Sequence, residues 1–225
     1  PEHYGGGGCT VRHLAIIADG NRRWAASHNL PKEAGHAQGL NVIERCCEWA
    51  ISRDVKMLTV YCFSTENWGR ESGEVDQIMD LARWYFRERR EWFTSRGIRV
   101  RFAGRRDRLA PDLVKSMGVM EDETRGCDAL TLTICADYGG HDAIARAVQS
   151  GAKTVHEIDE ALTAEIPTPD AILRTGGEMR LSNFLLWQAA YAELFFSPTM
   201  FPALEDSELD TLLEEYSTRT RKFGV

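Results

Sequence analysis

The sequence predicts an α/β fold: a single domain with a mostly parallel sheet flanked by helices. Short apolar runs typical of buried strands alternate along the chain with longer segments of helical periodicity. Strands that alternate with helices are usually joined by right-handed crossovers into a parallel sheet. The length of 225 residues suits one large domain or two small ones, and it is ample for a sizeable core.

Five apolar runs are predicted to be strands, namely residues 13–17, 57–63, 98–102, 130–135 and 171–173. The run at 98–102 alternates apolar residues with Arg99 and Arg101, which is typical of a half-exposed strand. Cys62 and Cys135 lie within such runs, so we expect them to be buried free thiols.

The periodicity predicts helices at residues 33–53, 72–94, 111–124, 141–149, 156–162 and 206–221. Pro111 suits the first turn of its helix. The segment 72–94 is apolar on more than one side, so it should bury two faces. The second face fits core packing, a tunnel wall or a dimer contact.

Composition excludes several classes of protein. Hydrophobic residues make up 43% and charged residues 27% of the chain, which is ordinary for a soluble globular domain. A net charge of −7 argues against general nucleic-acid binding. The sequence contains no run of about 18 apolar residues, so no transmembrane helix is expected. It also contains no signal-peptide pattern. The six cysteines lack zinc-type spacing. We expect a cytoplasmic protein with a flexible glycine-rich segment at 1–10 and a domain at 11–225.

A first polar motif, DGNRRW at 19–24, follows the strand predicted at 13–17. The carboxyl edge of an open α/β sheet is where ligands usually bind. Asp19 could hold Mg²⁺, which prefers carboxylates combined with phosphate oxygens. A tight turn is the alternative interpretation, because Asp-Gly-Asn is common turn chemistry.

A second polar motif, RTGGEMRLSNFLLWQ at 174–188, follows the strand predicted at 171–173. Arginines present forked donors that suit phosphate oxygens, and glycines let the backbone approach a ligand closely. The motif predicts a phosphate or diphosphate pocket. A polar loop with a surface ion pair is the alternative.

Together with FSTENW at 63–68 and YGG at 138–140, these motifs resemble the cis-prenyltransferase family of the undecaprenyl diphosphate synthase type, from about residue 13 to residue 224. The resemblance implies a Mg²⁺-dependent, homodimeric enzyme that acts on isoprenyl diphosphates. It also implies an apolar tunnel between the sheet and two helices.

The resemblance also implies roles for individual residues. Asp19 and Asn67 match catalytic residues, and Asp19 and Glu193 match metal-associated carboxylates. The residues that match substrate-binding positions are Gly20, Asn21, Arg22, Arg23, Trp24, Lys32, His36, Ser64, Glu66, Trp68, Arg70, Arg174, Arg180 and Ser182.

The chain departs from the family pattern near the implied sites, at Ala18, Arg22, Lys32, Cys62, Asp137 and Lys222, and its segment 140–174 is shorter than in long-chain enzymes. These departures favour a short-chain prenyl diphosphate as the product. One route to it is irregular, head-to-middle coupling of two dimethylallyl diphosphates, as in lavandulyl or cyclolavandulyl enzymes.

Two alternatives stay open. One is a regular cis-polyprenyl diphosphate synthase of the undecaprenyl kind. The other is a non-catalytic partner subunit, which we would expect to lack Asp19 or the Arg-Ser motif. This chain keeps both features.

Overall fold

A computed structural model of the chain describes residues 10–219. Its core is a six-stranded sheet in the order β3-β4-β2-β1-β5-β6. All five strand pairings are parallel, so the predicted α/β class is confirmed. The strands are β1 His13–Ile17, β2 Met57–Ser64, β3 Ile98–Ala103, β4 Leu130–Tyr138, β5 Ala171–Arg174 and β6 Glu193–Phe196.

Helices cover both faces of this sheet. They are α1 Asn21–Ser27, α2 Lys32–Ser52, α3 Ser72–Glu88, α4 Arg90–Ser95, α5 Pro111–Thr124, α6 Gly140–Gln149, α7 Val155–Glu165 and α8 Asp206–Thr218, with short 3₁₀ turns at Thr65–Gly69, Gln188–Tyr191 and Phe201–Ala203. Within residues 10–219, none of the helices is long and apolar enough to cross a membrane.

The core has two layers, one on each face of the sheet. The larger layer packs α2, α3, α5 and α8 against residues such as Leu14, Ile16 and Leu58. The smaller layer packs α6 and α7 against Ala15 and Ile172. Successive residues of β1 alternate between the two layers, which is the period of two that a strand buried on both faces must show.

The predicted helix at 72–94 is two helices. Arg89 interrupts it with φ −102° and ψ 3°, and the Nε and Nη2 atoms of its guanidinium group donate to the carboxylate of Glu44 on α2. The chain changes direction at this break, and Phe93 of α4 is fully buried. A sequence of continuous helical periodicity does not reveal this change of direction.

Two further elements were not predicted. The polar stretch after Asp19 forms helix α1, and the apolar run after residue 188 ends in the edge strand β6. Residues 33–53 and 111–124 form helices with nearly the predicted bounds. The predicted last helix is confirmed to Thr218, and the rest of it lies outside the described residues, as do Lys222 and most of the segment 1–10.

Parallel pairing brings the polar motifs to one edge of the sheet. Ile17, the last residue of β1, pairs with Tyr61 of β2 and Arg174 of β5, while Ser64 of β2 pairs with Tyr138 of β4. The strands therefore end side by side, and the loops that follow them share the carboxyl edge.

Candidate active site

A polar cleft of about 530 Å³ opens at the carboxyl edge of β1, over the start of α1 and α2. Eight of the residues predicted to bind substrate or metal line it, namely Asp19, Gly20, Asn21, Arg22, Arg23, Lys32, His36 and Arg70. Four of these side chains are cationic and one is a carboxylate, so the cleft suits an anion.

Asp19 occupies the wall of the cleft between two arginines. Its Oδ2 accepts a hydrogen bond from Arg174 at 2.8 Å, and its Oδ1 lies 3.3 Å from the Nη2 of Arg23. Its backbone N–H donates to the Thr175 hydroxyl at 3.0 Å. These contacts fix the carboxylate at the junction of the two polar motifs, which lie 155 residues apart in sequence.

Close approach at this junction requires glycine at 176. Gly176 has φ +86°, and a Cβ there would lie 2.7 Å from the Arg23 guanidinium and 3.0 Å from the backbone of Asp19. The Gly176 carbonyl accepts a hydrogen bond from Arg23 at 2.8 Å. The first polar motif therefore packs directly on the backbone of the second.

Glu74 of α3 gathers three cations beside the cleft. It is buried, and its carboxylate lies 3.0 Å from Arg70, 3.5 Å from Lys32 and 3.6 Å from Arg22. Desolvation acts to raise the pKa of Glu74, but the three cations together outweigh it and leave the pKa below its usual value. Glu74 was not among the predicted site residues, although its spacing of four residues from Arg70 is typical of a side-chain pair on a helix.

The cleft continues into an apolar cavity of about 110 Å³ between the sheet and helices α2, α3 and α5. Ala18, Asn21 and His36 line both spaces, so they mark the passage between them. The cavity wall includes Leu40, Ile43, Cys62, Phe63, Ile78, Met79, Ala82, Tyr85, Phe86, Leu113, Met117 and Ile134. The second apolar face of α3 is thus a cavity wall.

Cys62 differs from its prediction as a buried thiol. The register between β2 and β4 shifts between Tyr61 and Phe63, so Cys62 is the extra residue of a bulge and is exposed to the cavity. Protein surrounds the thiol beyond that opening, and this desolvation raises the pKa of Cys62 to about 12. Cys135 is buried as predicted.

His36 stands at the passage between the polar and apolar spaces. Burial first, and then the positive charges of Arg70 and Arg22, lower the pKa of His36. Its Nε2 atom is buried and has no hydrogen-bond partner within residues 10–219. A neutral imidazole therefore sits where an anionic head and an apolar tail would meet.

Asn67 lies in the 3₁₀ turn that follows β2. Its Oδ1 accepts a hydrogen bond from the backbone N–H of Ser64 at 3.0 Å, while the Ser64 side chain caps the same turn. The amide oxygen is thereby occupied. The Asn67 amide nitrogen remains as its donor toward a ligand.

Arg174, Arg180 and Ser182 come together after β5, but Arg174 is already engaged. Its Nη1 donates to the Arg180 carbonyl at 2.6 Å and to the Ser182 hydroxyl at 2.7 Å. The Arg180 guanidinium is exposed and pairs with Glu178 at 2.6 Å. Arg174 thus shapes the loop, while Arg180 and Ser182 are at its exposed surface.

Glu193 is not brought to Asp19. It begins β6 opposite Ala171, whereas Arg174, which contacts Asp19, lies opposite Phe196. At a rise of about 3.3 Å per residue, the backbone of Glu193 therefore lies roughly 10 Å along the strand from that of Phe196. Glu193 instead pairs with Arg219 at 2.8 Å.

The donor set near the cleft therefore fits a magnesium ion held mainly by substrate. Asp19 offers one partly exposed carboxylate, and no cluster of three His, Cys, Asp or Glu side chains occurs within residues 10–219. Mg²⁺ is commonly bound through one or two carboxylates together with substrate phosphates.

Other predicted residues lie at the margin of the cleft. The Trp24 ring stacks on His28 with 4.3 Å between ring centroids and does not line the cleft. Trp68 donates to Asp137 at 2.9 Å, and Glu66 accepts from Asn183 at 2.7 Å. Neither Asp137 nor Asn183 was among the predicted site residues, because their hydrogen bonds to Trp68 and Glu66 depend on the fold.

This combination of a cationic cleft and an apolar cavity agrees with the comparisons to known proteins. Residues 17–224 match the family model described as "Putative undecaprenyl diphosphate synthase". The chain belongs to this family, the cis-prenyltransferases. It is therefore a prenyltransferase enzyme, as predicted.

Similar proteins extend over nearly the whole chain. The isoprenyl transferase of Aquifex pyrophilus is 46% identical, over 94% of this chain and 95% of the relative. A ditrans,polycis-undecaprenyl-diphosphate synthase of Xanthomonas axonopodis pv. citri, specific for (2E,6E)-farnesyl diphosphate, is 40% identical over 95% of this chain and 88% of the relative.

A solved structure shows the same fold. Lavandulyl diphosphate synthase from Lavandula x intermedia, in complex with dimethylallyl diphosphate, superposes with a TM-score of 0.91 at 30% identity, covering 96% of this chain and 99% of that one. This cis-prenyltransferase is thus similar both to undecaprenyl diphosphate synthases and to a lavandulyl diphosphate synthase.

Proposed function

We propose that this cis-prenyltransferase condenses small isoprenyl diphosphates into a short-chain prenyl diphosphate with the help of Mg²⁺. The observation that carries the proposal is the direct passage from a cation-lined cleft to a small apolar cavity. The diphosphate of an allylic substrate would occupy the cleft, and its hydrocarbon tail would enter the cavity past Ala18, Asn21 and His36.

The size of the cavity supports a small allylic substrate. A cavity of about 150 Å³ holds one benzene molecule, and the cavity here is about 110 Å³. It therefore fits a group the size of a single isoprenyl unit. Bulky side chains on α3 and α5, including Tyr85, Phe86 and Met117, limit its extension. Dimethylallyl diphosphate is the allylic substrate that best matches this space.

The residues suggest how each substrate end is handled. In the reaction, the allylic C–O bond breaks and the diphosphate leaves with its electron pair. The alkene of the second substrate attacks the allylic carbon, and a proton is then lost. Arg22, Arg23, Lys32 and Arg70 would neutralise the leaving diphosphate, with Asp19 holding Mg²⁺ against it. Preorganised charges of this kind supply most of the rate in such chemistry.

The second substrate decides between two versions of this function. The likeness to the lavandulyl enzyme favours a second dimethylallyl diphosphate and irregular coupling. The names of the isoprenyl transferase and undecaprenyl synthase relatives favour isopentenyl diphosphate and regular elongation. We place the second substrate against Arg180 and Ser182 in either case.

We also propose that the enzyme works as a homodimer joined through the β6 edge of the sheet. Leu194 and Phe196 of β6 are exposed, and Met179 lines the same groove. An apolar edge strand is a common site of pairing between chains. Glu193 is the first residue of β6, so in this dimer its carboxylate would contribute to the metal site of the neighbouring protomer.

The test is product identification by mass spectrometry. One reaction holds dimethylallyl diphosphate alone, and a second adds isopentenyl diphosphate, each with and without Mg²⁺. A ten-carbon product from dimethylallyl diphosphate alone would support irregular coupling. Short products only when isopentenyl diphosphate is present would support regular elongation with early termination.

Two outcomes would count against the proposal. Chains as long as undecaprenyl diphosphate would show that the cavity does not set product length. Absence of any Mg²⁺-dependent condensation, also when farnesyl diphosphate is offered with isopentenyl diphosphate, would favour a non-catalytic partner subunit.

A further inference from the structure

The turn that carries Asn67 follows directly on strand β2. The N–H of Ser64, at the end of β2, donates to Asn67 Oδ1 and fixes the start of the turn to the strand. Its two neighbours, Glu66 and Trp68, each reach outward to a different loop.

Trp68 is anchored by a buried ion pair. Its Nε1 donates at 2.9 Å to the Oδ1 of Asp137, whose side chain is fully buried at the end of β4. Arg108 donates two hydrogen bonds to the same carboxylate, one from Nε at 2.9 Å and one from Nη2. The Arg108 guanidinium carbon also lies 5.7 Å from the centroid of the Trp68 ring, within cation–π range.

The backbone of Asp137 is held by the loop that follows β3. Its φ is +52°, in the left-handed region that aspartate and asparagine adopt more readily than most other residues. Its carbonyl accepts from the N–H of Arg105 at 3.0 Å, and a Cβ at Gly104 would lie 2.8 Å from it. The loop after β3 thus packs against the backbone of Asp137 and bonds its carbonyl.

Glu66 is anchored by Asn183 of the loop after β5. Asn183 Nδ2 donates to Glu66 Oε1 at 2.7 Å. The other polar groups of Asn183 cap helix α6, since its carbonyl accepts from the Gly140 N–H at 2.6 Å and its Oδ1 from the His141 N–H at 2.9 Å. Its φ of +66° is one that asparagine tolerates well.

We propose that Asp137 and Asn183 are positioning residues that hold the segment Glu66-Asn67-Trp68 from opposite sides and so orient Asn67 for the reaction. Asn183 directly follows Ser182 of the second diphosphate loop, so the anchor also ties that loop to Asn67. The kinetic part of this inference rests on the proposed function, while the structural part does not.

The Glu66 anchor can be tested by exchanging donor and acceptor. In Asn183→Asp the side chain still accepts from His141, but two carboxylates now face each other and the anchor fails. In the double variant Asn183→Asp with Glu66→Gln, the glutamine amide can donate to the new carboxylate. We expect kcat to fall on the order of tenfold in the single variant, since small misplacements of catalytic groups are costly. The double variant should restore the anchor itself, which amide hydrogen exchange of the turn reports independently of any role of Glu66 in substrate binding.

The Trp68 anchor has a matched control in the same chain. Asp210 accepts from the Trp49 Nε1 at 2.9 Å and is gripped by Arg53 at 2.8 and 2.7 Å, far from the cleft on α2 and α8. Asp137→Ala and Asp210→Ala therefore remove the accepting carboxylate from two Trp–Asp–Arg clusters, of which that of Asp210 is the more exposed. We expect both to lower thermal stability, but only Asp137→Ala to lower kcat.

Amide hydrogen exchange of residues 65–69 supplies a readout that needs no turnover. Exchange should accelerate in Asp137→Ala and Asn183→Asp, recover in the double variant and stay unchanged in Asp210→Ala. The inference is overturned if exchange and kcat in both site variants match the wild type, or if exchange in the double variant is as fast as in Asn183→Asp. A wild-type enzyme without any condensation activity would instead refute the proposed function, and exchange alone would then decide the inference.

Discussion

At the scale of single residues, Asp19 is the group on which the two polar motifs converge. Its carboxylate separates Arg174 and Arg23, and its side chain is about one-third exposed to the cleft. An asparagine here would keep an oxygen to accept from Arg174 but lose the negative charge that a metal ion needs.

We therefore expect Asp19→Asn to lower kcat by about 10²- to 10³-fold, the range seen when one preorganised electrostatic contact is removed. Steady-state turnover with saturating substrates and Mg²⁺ measures the effect, and circular dichroism checks that the fold is kept. Rates close to wild type would contradict a metal role for Asp19.

His13 makes stability depend on pH. Its ring is buried at the start of β1, where Nε2 bonds the Thr59 hydroxyl at 2.8 Å. Desolvation lowers the pKa of His13 to about 4, from an ordinary value of 6.5. The folded state thus favours the neutral ring. Its contribution is complete above pH 6.5 and is lost as the pH falls toward 4.

The expected result is a loss of about 2 kcal/mol in unfolding free energy between about pH 7.5 and about pH 5. Urea titrations at the two pH values measure it, and His13→Gln should flatten the dependence. His36 shares the same sign, so some slope should remain. His156→Gln is the control, since the side chain of His156 is 80% exposed. An unchanged slope in His13→Gln would contradict the assignment.

At the scale of elements, helix α5 offers a paired test of the cavity. Met117 and Met120 are both buried on α5, but only Met117 lines the cavity. Truncating either to alanine should cost roughly 2–5 kcal/mol of stability. Only Met117→Ala should lengthen the product, because it alone opens the cavity wall. Chromatography of dephosphorylated products measures this, and equal product profiles for the two variants would rule it out.

The sequence predicts elements well where one pattern dominates and poorly where packing decides. Buried strands and the helices at 33–53 and 111–124 follow directly from apolar periodicity. The break at Arg89 depends on Glu44, which is 45 residues away. The edge strand β6 is only four residues long and sits in a wider apolar run, so periodicity could not separate it.

The same distinction applies to the site. Polar motifs after predicted strands located most of the cleft, because parallel strands end at one edge. The motifs did not show that the Arg174 guanidinium bonds its own loop, or that Glu193 lies at the amino end of strand β6, away from the carboxyl ends of the strands. Both facts depend on register, which the sequence alone does not contain.

At the scale of the whole molecule, the β6 edge tests the proposed dimer. We expect Leu194→Glu to shift the protein from dimer to monomer, because a charge would be buried in the apolar contact. Sedimentation velocity measures the shift. Val155→Glu on α7 is the control, since Val155 is 73% exposed and is not part of the proposed interface. A wild-type monomer, or a dimer that survives Leu194→Glu, would contradict the proposed interface.

The placement of charge has a consequence for how fast substrates arrive. The chain carries a net charge of −7, yet its cleft presents four cations against the two carboxylates of Asp19 and Glu74. Such a local positive field in a negative surface attracts small anions into one opening and repels them elsewhere, which raises the encounter rate. Because the field extends only about 10 Å at 0.1 M salt, diphosphate association should slow steeply as ionic strength rises. Entry of the apolar tail, which carries no charge, should be largely insensitive to it.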